Sequence, residues 1–506
     1  MAGGYAMEEK NSNPKKIISQ HIFMFPFRMK TNYNLEKLKE DGWKHKPFNF
    51  ESDDIELATK YNEYVYFHEY VRNALFNDAS NENGSISFHF EREIPQGAKI
   101  VLHIKEGQTY TLPIKRISLR LFETNVGILT IELLNYKFCS HSDVFIINDF
   151  GRRIYPQFID SKNGTVATKS VFLADKIELY LGDKLITEDF KTEDYLKKKL
   201  KVASYIDYFL GSELKGKVIP VIDDRMYTMC WYGNDAFSKL LYPKNGDEYR
   251  FESSNEWYKF IYIDGKEIGV ANEKMKRDLI KAATYTRWVE KGTLFGISRN
   301  SFVCVTNEKY FEYNVIRNQM RSVYHQMAVL LLAQRASILK FSDDVSKITS
   351  QAKSSRGELI DKKFKSVSES VKMLYSSFIR FVNRLYFEEV SPQDQGIEMY
   401  KMAVKNMGLR EQLNELRYEL EKLYEFVEML QEKFISKGFR FIRVISFLFI
   451  APMLAATLVN MGVFSENIKI LIFGYNIQNG CLFIILALLI SIILLLLFKI
   501  GLRGRR

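Results

Sequence analysis

Two short stretches of this chain carry side chains suited to binding anions or flat ring systems. Asp149-Phe150-Gly151-Arg152-Arg153 sets two guanidinium groups beside a glycine. That would suit a phosphate or an adenylate, because each guanidinium presents a planar fork of donors. Asp223-Asp224-Arg225 follows an apolar stretch, 217–222, that reads as a strand, and Trp231 and Tyr232 come shortly after it. Strand ends often hold ligands, and either ring would stack on an adenine. Each stretch also has a plainer reading, a loop of structural ion pairs for the first and a turn with a packed aromatic for the second. Catalytic motifs are missing. His68-Glu69 lacks the second histidine of a zinc-protease helix, Cys139 and His141 stand alone, and neither a phosphate-binding loop nor a Gly-x-Ser-x-Gly elbow occurs. The residues point to a binding protein and not to an enzyme, and they imply no resident cofactor.

The elements that must position these groups come from a chain with ample core material. At 506 residues and 46% hydrophobic composition there is room for two or three folded units. The net charge of +11 arises from 72 basic residues interleaved with 61 acidic ones, and no zinc-finger or RNP module accompanies it, which argues against direct nucleic-acid binding. Cys139, Cys230, Cys304 and Cys481 form no C-x-x-C pair, a usage that fits a reducing cytoplasm. Residues 1–20 lack the apolar core of a secretory signal and read as a flexible tail.

Residues 21–305 read as an α/β or α+β sensor body, β-rich over 80–160. Ile86, Phe88 and Phe90 alternate with polar residues, as do Ile100, Leu102 and Ile104, then Ile117, Leu119 and Leu121, then Leu129, Ile131 and Leu133. Period-2 patterning of this kind predicts antiparallel strands. Shorter strands are expected at 217–222, 260–263 and 301–306, and helices at 55–75, 192–210 and 272–290. From about 311 the pattern turns helical: one helix to about 350, a second over 358–388, and a turn at Ser391-Pro392. Leu409, Leu413, Leu416, Leu420, Leu423, Val427, Leu430 and Phe434 then follow a strict 4-3-4-3 spacing, which Met402 and Asn406 extend backward. Such a seam calls for partner helices, from the same chain or from neighbouring subunits. Residues 306–438 are therefore expected to form a helical bundle and stalk.

Two apolar runs, 441–463 and 481–498, close the chain. Helices of that length approach or reach the ~30 Å hydrocarbon core of a bilayer, so 439–506 reads as a transmembrane hairpin with a basic tail. Lys433, Lys437, Arg440 and Arg443 flank the first run and Lys499, Arg503, Arg505 and Arg506 the second, whereas 464–480 carries only Glu466 and Lys469. By the positive-inside rule both flanks are cytoplasmic and the short loop is outside, so the chain reads as a multi-pass membrane protein with cytoplasmic N- and C-termini. Ser446, Phe449, Met453, Thr457 and Asn460 recur at steps of three and four residues. Converging copies of that face would line a pore, continued by Met461 and Gly462, with a narrow apolar middle. Helix-contact residues are the alternative.

A cytosolic α/β body, a long stalk helix, a short outer loop and a basic tail together resemble the CorA-type two-helix channel superfamily. The resemblance implies a homopentamer whose first membrane helix lines the pore and ends in Gly-Met-Asn. Here Pro452 is followed by Asn460-Met461-Gly462, the same residues reversed, while Gly474-Tyr475-Asn476 offers a second, displaced outer-mouth motif. With the outer loop formally neutral, the mouth would attract hydrated Mg²⁺ weakly. His21-Ile22-Phe23-Met24-Phe25-Pro26-Phe27-Arg28, Asp223-Asp224-Arg225-Met226 and Cys230-Trp231-Tyr232-Gly233 are similar to the divergent CorA-like proteins associated with type III CRISPR systems. That resemblance implies a membrane effector of a prokaryotic cell membrane, gated by a nucleotide second messenger, the conjugate SAM-AMP; the candidate ligand contacts, from the chemistry of the residues themselves, are Arg152, Arg153, Asp223, Asp224, Arg225 and Trp231. A CorA-like Mg²⁺ channel or transporter is the alternative, and a non-conducting membrane anchor is a third reading.

Overall fold

The computed structural model describes residues 16–48, 56–76, 85–104, 107–155, 174–190, 202–222, 224–265, 269–353, 360–460, 470–472, 475–477, 489 and 492. Two units are distinguished, Met1–Glu419 and Leu420–Arg506.

The first unit is built on a 13-stranded mixed sheet. Its strands are β1 (Ser19–Met29), β2 (Trp43–His45), β3 (Ser87–Arg92), β4 (Lys99–His103), β5 (Thr109–Phe122), β6 (Val126–Asn135), β7 (Lys176–Leu181), β8 (Lys184–Asp189), β9 (Val218–Pro220) and β10 (Tyr227–Gly233). A separate small hairpin, β11 (Lys244–Asn245) and β12 (Glu248–Tyr249), precedes the last three sheet strands, β13 (Thr284–Tyr285), β14 (Leu294–Ile297) and β15 (Ser301–Thr306). The main path runs β13-β14-β15-β10-β1-β6-β5-β4-β7-β8, with β3 beside β5, β2 beside β3 and β9 beside β1. All neighbours are antiparallel except β10 and β15.

The expected alternation explains the longest strands. Phe23, Phe25 and Phe27 of β1, Ile117, Leu119 and Leu121 of β5, and Leu129, Ile131 and Leu133 of β6 point to one face and join a single buried cluster. Fully burying a side chain of this class contributes roughly 1.5–3 kcal/mol. A register shift between Ile114 and Arg116 bulges β5, letting its first half pair with β4 and its second half with β3.

Helices cover both faces. They are α1 (Leu35–Glu40), α2 (Glu56–Val65), α3 (Glu69–Leu75), α4 (His141–Gly151), α5 (Ser204–Leu214), α6 (Asp235–Leu241), α7 (Asn255–Tyr262), α8 (Glu273–Ala283), α9 (Arg317–Arg321), α10 (Val323–Lys353), α11 (Ile360–Arg384), α12 (Asp394–Met407) and α13 (Leu409–Asn460). α4 and α5 pack on the phenylalanine-rich face, and α10 lies across β1 and β6 on the other.

Several expected elements differ. Of the strand expected over 260–263, residues 260–262 complete α7 and Ile263 ends it in the left-handed conformation: the Ser254 hydroxyl caps the helix at Trp257 N (3.2 Å), and Trp257, Phe260 and Ile261 recur at helical spacing. The helix expected over 272–290 stops at Ala283, where Thr284 bonds back to the Ile280 carbonyl and enters β13. The stretch 55–75 holds two helices separated near His68. Helix α5 begins at Ser204 and ends at Leu214, and residues 192–201 of the helix expected there lie outside the described residues. The helix expected from 311 to 350 is interrupted by a π turn, Glu312–Ile316, and by Ser322, whose φ of −109° and ψ of −94° separate α9 from α10. Met402 and Asn406 do not extend the heptad helix. They belong to α12, and Gly408 in the left-handed conformation (φ 66°) ends it before Leu409.

The expected C-terminal transmembrane hairpin is corrected by the structure: among the described residues no helix is long and apolar enough to cross a membrane. α13 is helical to Asn460, and part of the expected outer loop is a hairpin of β16 (Ile470–Ile472) and β17 (Tyr475–Ile477). The second apolar run lies outside the described residues apart from Leu489 and Ile492, both exposed. The physical reason is that an apolar run records a preference for burial, while the element and partner that satisfy it are set elsewhere. The fold class is a mixed α/β body with helices on both sheet faces.

Candidate functional site

The Arg152-Arg153 and Asp224-Arg225 segments do meet in space, but as an internal network. Arg152 Nη2 sits 3.2 Å from Asp149 Oδ1 and donates to the Ile263 carbonyl at 2.7 Å. Arg153 bridges Asp149 (3.1 Å) and Asp224 (2.6 Å), and Arg225 Nε reaches Asp224 at 3.0 Å. Arg152, Arg153 and Asp224 are all buried, and burial pulls the Arg152 guanidinium down to about 10 despite Asp149. Asp223 lies outside the described residues. Guanidinium groups already closed on carboxylates and a carbonyl pin the end of α4 to the start of β10, which is the plainer of the two sequence readings. The neighbouring cavity, lined by Phe23, Gly151, Tyr205 and Met226, offers about 10 Å³ and is apolar. It holds a water at most.

Trp231 lies elsewhere, on the opposite face of the sheet, and leads to a site the motifs did not show. Side chains on that face include His89 and Glu91 from β3, Arg116 and Arg120 from β5, Glu132 from β6, and Gln20 from β1. Above them are Glu63 from α2, Arg317 and Arg321 from α9, and His325 and Gln326 from α10. Glu132 is fully buried. It accepts from Gln20 Nε2 at 2.5 Å, lies 3.1 Å from Arg116 Nε, and is 4.0 Å from Arg321 Nε. Arg116 (24% exposed), His89 (22%) and Arg321 (34%) keep part of their side-chain surface open. These three side chains reach the surface, whereas Glu132, Arg120, His325 and Trp231 are buried.

Cations outnumber anions there. Burial lowers Arg120 to about 10, offset by Glu63 and aggravated by Arg116, and Arg120 bonds the Leu75 carbonyl. Burial would also lower Arg116, but Glu132, Glu91 and Glu63 more than compensate and it is raised. Burial pushes the Glu63 carboxyl up and holds His325 and His89 far below the usual imidazole value, a shift that the surrounding arginines deepen. The histidines are thus neutral at pH 7, and Glu63 is biased toward its neutral form. Neither ring nitrogen of His325, which is 4% exposed, has a hydrogen-bond partner among the described residues.

At one end of the cluster Trp231 is fully buried. Trp231 meets Tyr313 edge-on at 5.6 Å, and Arg317 lies over both rings, 6.0 Å from the first centroid and 4.7 Å from the second. The Trp231 Nε1 has no acceptor among the described residues. The guanidinium groups of this cluster suit an acidic group, while the buried indole is already packed against Tyr313 and Arg317. Of this constellation, motif reading found Trp231 alone. Arg120 was visible as a polar alternate of β5, and Arg317 and Arg321 as cations four residues apart.

The expected pore positions fall on α13, where Ser446 is half-buried and Met453 is 73% exposed. The Thr457 hydroxyl, also exposed, donates to the Met453 carbonyl at 2.7 Å. Phe449 and Asn460 are helical. Met461, Gly462 and Gly474 lie outside the described residues, and Tyr475 and Asn476 form β17, with Asn476 opposite Leu471. Among the described residues no cluster of three His, Cys, Asp or Glu side chains is placed to hold a metal ion. No protein-family model matches this sequence, and no curated protein matches it.

Proposed function

We propose that this chain is a sensor-effector whose α/β body takes up a nucleotide second messenger of the SAM-AMP type at the arginine cluster between the sheet and the helices α9 and α10. The observation that carries the reading is the meeting of Arg116, Arg120, Arg317 and Arg321, guanidinium groups whose donor forks suit phosphate oxygens. The resemblance to CorA-like proteins of type III CRISPR systems supports it, since two of its segments, beginning at His21 and Cys230, lie on the paired strands β1 and β10. Leu409, Leu413 and Leu416 bury the start of α13 in the same unit, so a rearrangement of the helices over the sheet would be passed to α13. A ligand can drive that change only by binding the two arrangements unequally.

The test is binding of SAM-AMP to the purified full chain, paired with growth of cells expressing the chain with and without an enzyme that makes the messenger. Binding together with growth arrest only when messenger is made is the expected result. A chain that neither binds SAM-AMP nor slows growth in its presence sinks the reading.

A further inference from the structure

We propose that the turn between β14 and β15, together with α10, forms a seat for a small inorganic oxyanion such as phosphate or sulfate, gripped by the Arg335 and Arg299 guanidinium groups. The seat is separate from the arginine cluster around Glu132, and the proposal stands whether or not the chain senses a nucleotide. Arg335 lies on α10 well beyond His325, about 15 Å further along the helix axis.

The turn is held firmly. The Ser298 N–H donates to the Ser301 carbonyl at 2.9 Å, the two hydroxyls are 2.6 Å apart, and the Asn300 N–H reaches the Ser298 hydroxyl at 3.3 Å. The Asn300 carbonyl in turn accepts from the Thr228 N–H of β10 at 3.1 Å. Arg335 docks on this turn through Nη1, which donates to the Arg299 carbonyl at 2.9 Å and the Asn300 side-chain oxygen at 3.3 Å. Both acceptors are neutral. Arg335 is only 5% exposed, yet no carboxylate acts on it: burial first and the like charge of Arg299 second pull its guanidinium down to about 10, with Tyr227 alone opposing. A charge taken out of water in this way is costly unless an opposite charge comes with it.

The edge of Arg335 left over is the one that suits an oxyanion. Nε and Nη2 point the same way and make the fork that two oxygens of a phosphate or sulfate can bridge, and Nε has no acceptor among the described residues. The turn borders solvent, because Arg299 is exposed and Asn300 half-buried. Of the unbonded nitrogens of Arg335, only Nε is sealed from that solvent. An anion thus meets Nη2 and the Arg299 guanidinium first and gains Nε when the Asn300 side chain shifts. The narrow opening selects a small ion. On the sheet side the Tyr227 hydroxyl, close enough to act on Arg335, is buried with no partner among the described residues. Occupancy would also be felt at the end of α12, since Asn406 Nδ2 donates to the carbonyl of Ile297, which leads into the turn, at 2.7 Å.

Calorimetry on the full chain with sodium phosphate and with sodium sulfate, against sodium chloride at matched ionic strength, tests the proposal. Wild type should bind both oxyanions, Arg299→Gln should bind them about tenfold more weakly, and Arg335→Met should not bind them measurably. In chloride both variants should unfold at or above the wild-type temperature, because an apolar side chain tolerates this burial better than an unpaired charge. In phosphate the wild type should gain more unfolding temperature than either variant. Arg299→Gln, at an exposed position, keeps the test decisive if Arg335→Met does not fold. Absence of oxyanion binding by the wild type overturns the seat. Equal affinity in wild type and Arg299→Gln, which would put the ion elsewhere, overturns it as well. So does an equal rise in unfolding temperature for all three chains, the mark of salt excluded from the surface and nothing more.

Discussion

Acidification should destabilise the first unit through His21. This side chain is fully buried on β1, its Nδ1 2.7 Å from Asn148 Oδ1, its Nε2 2.9 Å from the Ser19 hydroxyl, and the Cys230 sulfur 3.7 Å away. Burial lowers its pKa to about 4, with the Asn148 hydrogen bond partly opposing, whereas the unfolded chain keeps about 6.5. Above pH 6.5 both states are neutral and the group contributes no pH dependence. As pH falls below 6.5 the unfolded chain takes up a proton that the folded chain refuses, so stability drops by about 1.36 kcal/mol per unit until pH nears 4. Between pH 7.5 and 5 that amounts to about 2 kcal/mol from His21. His89 and His325 carry the same sign, from burial first and the nearby arginines second. The assay is urea unfolding followed by tryptophan fluorescence at each pH. All four tryptophans, Trp43, Trp231, Trp257 and Trp288, lie in Met1–Glu419, so the signal reports on that unit. His21→Gln should flatten the difference between pH 7.5 and 5 by about 2 kcal/mol whatever its absolute cost. Identical pH dependence in variant and wild type would refute the reasoning.

Three further substitutions probe the scaffold. Asp224→Ala strips the fully buried carboxylate that pairs with Arg153 and Arg225 and should cost about 3–5 kcal/mol in urea unfolding, because buried charge is left unpaired. Gly151→Ala places a methyl 2.6 Å from Phe23 Cζ where α4 crosses β1; a loss of about 1–3 kcal/mol is expected from overpacking, and an unchanged melting temperature would show that the contact yields freely. Gly408→Ala forces an L-residue to φ 66° between α12 and α13, for about 1 kcal/mol of strain measurable by thermal unfolding.

The central strands were legible because a period of two is a local property. Ile117, Leu119 and Leu121 announce a strand with one apolar face wherever it ends up. Strand order was not legible, since β1 pairs with β6, β9 and β10 across separations that no turn chemistry encodes. Short apolar stretches were ambiguous: 260–263 suits a strand by composition, and only the Ser254 cap and the packing of Trp257 make it the end of a helix. Arg152, Arg153 and Asp224 were recognisable as polar groups worth watching, but their closure into a buried network depends on contacts 71 residues apart.

By itself the sequence determined the repeating patterns: alternation in the sheet, the leucine seam of α13, and the absence of known catalytic motifs. Those follow from neighbours along the chain, which the backbone geometry of each element converts directly into faces. Tertiary structure alone decided that Arg116 of β5 and Arg321 of α9 converge on Glu132, with Arg120 and Arg317 beside them. Alternation says which face a side chain takes, and the long-range packing of helices over the sheet decides what charge it meets there and how much water remains.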